Sequence, residues 1–322
     1  MKIYPIKFKP ILKDKIWGGT LLGTKLRKPI GHSTCCGESW ELSSVEGDVS
    51  IIANGELKGL SLRHALKTYG VELVGREVYE RCGTEFPLLI KFIDAADDLS
   101  IQVHPDDEMA ARRGLSNGKT EMWYVMHAEP NSVLTTGFCR PITADDYEKM
   151  LRNGTFQSAL GRHHASEGEV YFMPAGRIHA IGKGIMVAEV QQTSDTTYRV
   201  YDYDRRDKTG KLRDLHVAEA KEALHFTDTD SGHCHYDTIV NGRAEVVDCQ
   251  YFSAGIVSVC GTTMRDYSRH RSAVILMCVS GEAMVDGESL QMGETCMLPA
   301  ITEHVQISST NGEARLLEIY VK

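Results

Sequence analysis

Two histidines, a glutamate and a glutamine in this 322-residue chain have the types and spacing to hold a divalent cation. Gln102 and His104 are separated by one residue in IQVHP, so in a strand their side chains share a face. Glu121 opens the β-like run EMWYVMHA, and His179 follows the turn made by Pro174 and Gly176 in MPAGRIHAI. Brought together inside a small barrel, two imidazoles, a carboxylate and an amide oxygen form a mixed N/O set. That set suits a divalent metal such as Zn2+ and leaves a position for water or substrate. Either imidazole alone also fits a structural role, satisfying a carbonyl at the edge of a core. Glu121, beside Trp123 and Tyr124, needs a partner if it points inward and none if it merely opens an exposed strand.

The neighbouring segment GLSNGKT, residues 114–120, looks like a phosphate-cradling loop but departs from that pattern twice. Its glycines have the wrong separation, and it follows a helix-like stretch and leads into a strand, the reverse of strand, loop and helix. Lys119 is then either a contact for an anionic substrate beside Glu121 or a solvated turn lysine.

The elements that must carry these residues are mostly short strands. FPLLIKFIDA, residues 86–95, reads as a buried strand, and LSIQVHP as a second one stopped by Pro105. DDEMAARRG after it is a short helix opened by acidic residues, and a further helix starts at Thr143 with acidic residues in its first turn. Helical spacing also appears in SLRHALKTYGVELVG and from Asp214 to Leu224. GEVYFMPAGRIHAI and GETCMLPAITEHVQI both place Pro six residues after Gly and His five after Pro. This echo predicts two related β-sandwich or barrel units, at 80–205 and 240–322, joined by a helical and polar connector.

Composition narrows the partners. With 36 basic and 44 acidic residues the net charge is -8, which gives no electrostatic case for nucleic acid but leaves room for a local basic pocket that takes a phosphate. The opening MKIYPIKFKP lacks the pattern of a secretory leader, and no apolar run approaches the roughly 20 residues of a membrane helix. Nine cysteines without a CxxC pair read as thiols in a reducing compartment, so a cytoplasmic location away from membranes is expected.

Four stretches, IQVHPDD, GKTEMWYV, MPAGRIHAI and VAEVQQTSDTTYRVYDYDR, together resemble the type I mannose-6-phosphate isomerase family in its short bacterial form, most strongly from Phe86 to Arg205. The resemblance implies a mostly β fold of two cupin-like jelly-roll barrels with inserted and connecting helices. A catalytic barrel with a helical insertion would occupy 1–205, a helical and polar connector 206–239, and a degenerate cupin-like barrel 240–322. It further implies interconversion of mannose 6-phosphate and fructose 6-phosphate, a sugar phosphate as partner, and one Zn2+ per chain. The ligands would be Gln102, His104, Glu121 and His179, by correspondence to the family's QxH, KTE and PxGxxH elements.

By the same resemblance Ser100, Lys91 and Lys119 face substrate or phosphate, Arg199 is a catalytic-site cation, and Glu189 is an acidic residue for proton transfer. Ordinary roles exist for each: a strand-edge cap for Ser100, pairing of Arg199 with Asp202 or Asp204, a local charge balance for Glu189. The second unit lacks a QxH and KTE-like pair, so its expected contribution is stability or association. An iron-dependent cupin oxygenase and a non-enzymatic sugar-phosphate-binding cupin are the rival readings.

Overall fold

The computed structural model describes residues 3–206 and 209–322. Alternating inward and outward side chains build its strands into three sheets, two of which face each other and enclose the candidate ligands. The larger of these two has seven strands, ordered His233–Cys234, Val170–Met173, Glu121–Ala128, Ile185–Gln192, Leu88–Ala95, Cys36–Leu42 and Ile11–Gly19. The smaller has five: Tyr198–Tyr201, Ile101–Val103, His179–Ile181, Val133–Phe138 and Leu160–His164. Both sheets are antiparallel and open at their edges. The fold is mostly β, with the facing antiparallel sheets of a jelly roll.

Period-two alternation decides which residues meet. In the seven-stranded sheet Ile90, Phe92, Met122, Tyr124, Ala188 and Val190 point outward. There they join one core with Ile256, Met277, Leu317 and Ile319 of the second unit and with Leu66 and Leu73 of the helix Leu62–Val74. Burial of each such side chain contributes about 1.5–3 kcal/mol, so the two units are held by a shared apolar layer. The intervening positions Lys91, Ile93, Glu121, Trp123, Val187 and Glu189 therefore face the smaller sheet. On that sheet Ile101, Val103, Ala180, Tyr198 and Val200 pack outward against the helices Ala144–Arg152 and Val217–Ala223, which leaves Gln102, His179 and Arg199 on the inner face.

The helix expected at Thr143 is present and has a capping box. The Thr143 hydroxyl accepts from the Asp146 amide at 3.1 Å, and the Asp146 carboxylate accepts from the Thr143 amide at 3.0 Å. The third sheet holds the second unit, with the long strands Phe252–Asp266 and His304–Val321 paired antiparallel. Its inner face is largely apolar, with Val259, Leu276, Leu298, Val305 and Leu316, and the fully buried carboxylate of Glu318 is paired with Arg265 and Arg243. His304, which echoes His179, is largely exposed beside Asp266. The strand Ile6–Lys7 pairs with Cys296 and Met297 of this sheet, whereas His233–Cys234 extends the seven-stranded one.

Candidate metal centre and substrate cleft

Cross-strand register assembles the site as two facing rows. On the small sheet Arg199 lies opposite Gln102, and Gln102 opposite His179. On the large sheet Trp40 pairs with Lys91, Lys91 with Glu189, and Glu189 with Trp123, while Gln191 pairs with Glu121. Ligand atoms of His104, Glu121 and His179 all lie within 4.8 Å of one another, and these three residues are buried. Nε2 of His179 is 3.3 Å from Glu121 Oε1, and Nε2 of His104 is 3.4 Å from Oε2.

The imidazoles are oriented from behind. His104 Nδ1 is 2.9 Å from the Thr196 carbonyl and His179 Nδ1 is 2.9 Å from the Arg177 carbonyl. A carbonyl only accepts, so each Nδ1 carries the proton and each Nε2 turns a lone pair inward. Burial holds both imidazoles neutral: it pushes His179 down to about 4, and His104 well below its usual value with Lys119 and His179 adding to the effect. Among the described residues, Nε2 of His104 and both carboxylate oxygens of Glu121 have no hydrogen-bond partner, although Lys119 Nζ approaches Glu121 Oε2 to 3.1 Å.

Unpaired buried acceptors are costly, and three of them aimed at one point fit a bound cation. Gln102 borders this cluster. Its amide is 3.3 Å from His179 Nε2, with Ser100 Oγ donating to its oxygen at 3.3 Å, and an amide can present either its oxygen or its nitrogen at such a point.

A cleft of about 150 Å³ opens beside the cluster. It is lined by Ser100, Gln102, Lys91, Lys119, Glu189 and Arg199, so every residue expected to face substrate reaches one space. The cations lining it are Lys15, Lys91, Lys119, Arg199 and Arg213, against the carboxylates Glu38, Glu189 and Asp195. Two of these cations have carboxylate partners outside the lining, Lys119 at Glu121 and Arg213 at Asp202, so the cationic wall is balanced in part from behind.

Lys91 and Glu189 sit at the centre of the charge pattern. Lys91 Nζ is 3.4 Å from Glu189 Oε1 and 3.9 Å from Glu38 Oε2. Burial lowers the Lys91 value, but Glu38 and Glu189 outweigh it and the ammonium is held above its usual value. Trp123 Nε1 donates to Glu189 Oε2 at 2.9 Å, and the other Glu189 oxygen has no hydrogen-bond partner among the described residues. Burial, reinforced by Glu121, raises the Glu189 carboxyl and makes it a better proton acceptor. Arg199 forms no ion pair among the described residues, and Nη1 donates to the Asp214 carbonyl at 3.3 Å. Asp202, one of its expected partners, is taken by Arg205 and Arg213.

Lys15, Trp17, Glu38, Asp195 and Arg213 line the cleft without having been singled out from the sequence. Asp195 lies inside the stretch VAEVQQTSDTTYR, between Glu189 and Arg199, and alternation along KDKIWGG puts Lys15 and Trp17 on one face. Glu38 belongs to no motif. Burial raises its carboxyl, but Lys91, Lys15 and the Trp40 indole outweigh burial and hold it at about 2.

Because this folded value is depressed, the stability Glu38 contributes is full above the unfolded value near 4.5 and lost as pH falls toward 2. Glu38→Gln is therefore expected to cost about 3 kcal/mol in urea unfolding at pH 7, with the gap to wild type closing on acidification. A gap that stays constant from pH 7 to pH 3 would show that the carboxylate charge contributes nothing.

The fold and the site define a cupin with a candidate metal centre and an anion-binding cleft. Residues 6–120 match the family described as "Phosphomannose isomerase type I, catalytic domain", and residues 243–321 match "Mannose-6-phosphate isomerase, cupin domain". Mannose-6-phosphate isomerase ManA of Bacillus subtilis is 33% identical over 310 residues, covering 93% of this chain and 94% of that protein. A mannose-6-phosphate isomerase of Streptococcus mutans is 38% identical over 223 residues, covering 68% of this chain and 67% of its own. The crystal structure of the mannose 6-phosphate isomerase from Bacillus subtilis superposes with a TM-score of 0.87 at 33% identity, covering 98% of this chain and 99% of that one. The chain belongs to the type I mannose-6-phosphate isomerase family.

Proposed function

We propose that the protein interconverts mannose 6-phosphate and fructose 6-phosphate, using one Zn2+ held by Gln102, His104, Glu121 and His179. The observation that carries this reading is the joining of a buried His/Glu/His set to a cleft lined by lysines and arginines. The names of the relatives point the same way. Bound there, a redox-inert divalent ion supplies Lewis-acid polarisation of the sugar oxygens.

The chain's own residues do the rest. Aldose-to-ketose exchange moves a proton from C2 to C1 and a hydroxyl proton from O2 to O1, through an enediol-like intermediate, with no electron leaving the sugar. Glu189, with one oxygen fixed by Trp123 and the other without a hydrogen-bond partner among the described residues, takes up and returns the carbon proton. Lys91, beside that oxygen, and Arg199 stabilise the negative charge that develops on the sugar oxygens. Ser100 and Lys119 orient the substrate, whose phosphate is balanced by the cationic wall of the cleft.

Turnover of mannose 6-phosphate by the purified protein is expected to vanish on chelation and to return with added zinc. Fully metal-loaded, folded protein without turnover would sink the isomerase reading, and recovery with iron but not zinc would reassign the ion.

A further inference from the structure

The turn between the strands Arg243–Asp248 and Phe252–Asp266 carries Tyr251 across the seam toward the catalytic unit. Its backbone is fixed within the second unit, because the Tyr251 carbonyl accepts from the Lys322 amide at 3.1 Å and the Cys249 amide donates to the Phe252 carbonyl at 3.0 Å. The Tyr251 hydroxyl donates to Asp107 Oδ2 at 2.7 Å. The other oxygen of that carboxylate, Oδ1, accepts from the Gly118 amide at 2.8 Å and from Gln192 Nε2 at 3.0 Å. Gln192 Oε1 in turn accepts from the Thr120 amide at 2.9 Å.

Both amides that flank Lys119 thus depend on Asp107, one directly and one through a single side chain. The Lys119 amide itself donates to the Pro105 carbonyl at 2.9 Å. Gly118 lies so close to the 105–107 backbone that a Cβ would sit 2.6 Å from the Asp106 carbonyl carbon, so the segment has no slack there. At the end of this segment Lys119 is 6% exposed and Glu121 is fully buried. Burial alone would raise the Asp107 carboxyl, but the hydrogen bonds from Tyr251, Gly118 and Gln192 outweigh it and hold it below its usual value.

We propose that Tyr251 is a positioning residue for the reaction: through Asp107 and Gln192 the second unit fixes the Gly118–Glu121 segment, and with it the Lys119 ammonium and the Glu121 carboxylate. The kinetic part of this inference rests on the isomerase reading, whereas the mechanical part does not. The second unit thereby has a role beyond the shared core, since a hydroxyl contributed by its turn completes the anchoring of a catalytic segment.

The test is Tyr251→Phe, which removes one hydroxyl and keeps the ring. Amide hydrogen exchange at Gly118 and Thr120 is expected to quicken about threefold to tenfold, and kcat to fall by about the same factor, with KM changed less than about twofold. Metal content and thermal midpoint are expected to stay at wild-type values. Asp107→Asn should give a comparable or larger kcat loss, and adding Tyr251→Phe to it should cost nothing more, because both act on one network. Unchanged exchange at Gly118 and Thr120 overturns the proposal, as do additive losses in the double variant or a kcat loss matched by lost metal. Absence of isomerase turnover in metal-loaded wild type would sink the isomerase reading instead, and the exchange measurement would still decide whether Tyr251 holds the segment.

Discussion

Replacing His104 by Ala is expected to strip the purified protein of its metal and to lower isomerase turnover by more than about a hundredfold, since even groups that only orient metal ligands typically contribute 10–100-fold. His104 is 1% exposed and supplies one of the inward-facing Nε2 lone pairs, with its other nitrogen held by the Thr196 carbonyl. Its removal leaves Glu121 with one imidazole instead of two at the centre of the cluster. Metal analysis of the purified variant beside its turnover is the deciding pair of measurements. Wild-type metal content together with wild-type turnover would reject the site. Lost turnover with full metal content would move His104 out of the ligand set and into contact with substrate.

The convergence of His104, Glu121 and His179, with Gln102 beside them, was legible because each motif is local. Gln102 and His104 share one strand face by alternation, and His179 follows a turn whose Pro174 and Gly176 announce it. Helix starts were legible for the same reason, as Thr143 and Asp146 satisfy each other within one turn. The mostly β, jelly-roll form was expected, whereas period-two patterning alone does not say whether the sheets close at their edges, and in the first unit they stay open.

What was hidden depends on register between distant strands. Lys91 meets Glu189 and Trp40 only because three strands, far apart in sequence, align at that row. Glu38 reaches the same charge network from a segment with no motif of its own. The pairing of Ile6–Lys7 with the second unit is likewise a long-range contact that no local pattern announces. Tyr251 was hidden most completely, since its role lies in one hydroxyl reaching Asp107 across the seam.

Glu189→Gln separates proton transfer from metal binding. The amide keeps the shape of the side chain and an oxygen to accept from Trp123 Nε1, but it cannot take up a proton from carbon. Lys91 keeps Glu38 as a partner, so the substitution does not leave its ammonium buried without a carboxylate nearby. Turnover is expected to fall by about 10²–10⁴-fold, the usual contribution of a positioned acid or base. Metal content should remain that of the wild type, because Glu189 is outside the His104, Glu121 and His179 cluster. Exchange of the C2 proton with solvent should fall in parallel with turnover, which ties the loss to the carbon proton rather than to substrate binding. Turnover within about threefold of wild type would remove Glu189 from the chemistry, since a genuine general base contributes far more than that. Its pairing with Lys91 would then be a structural ion pair, and the proton would have to be carried by another carboxylate lining the cleft, of which Asp195 is the remaining one not paired with Lys91.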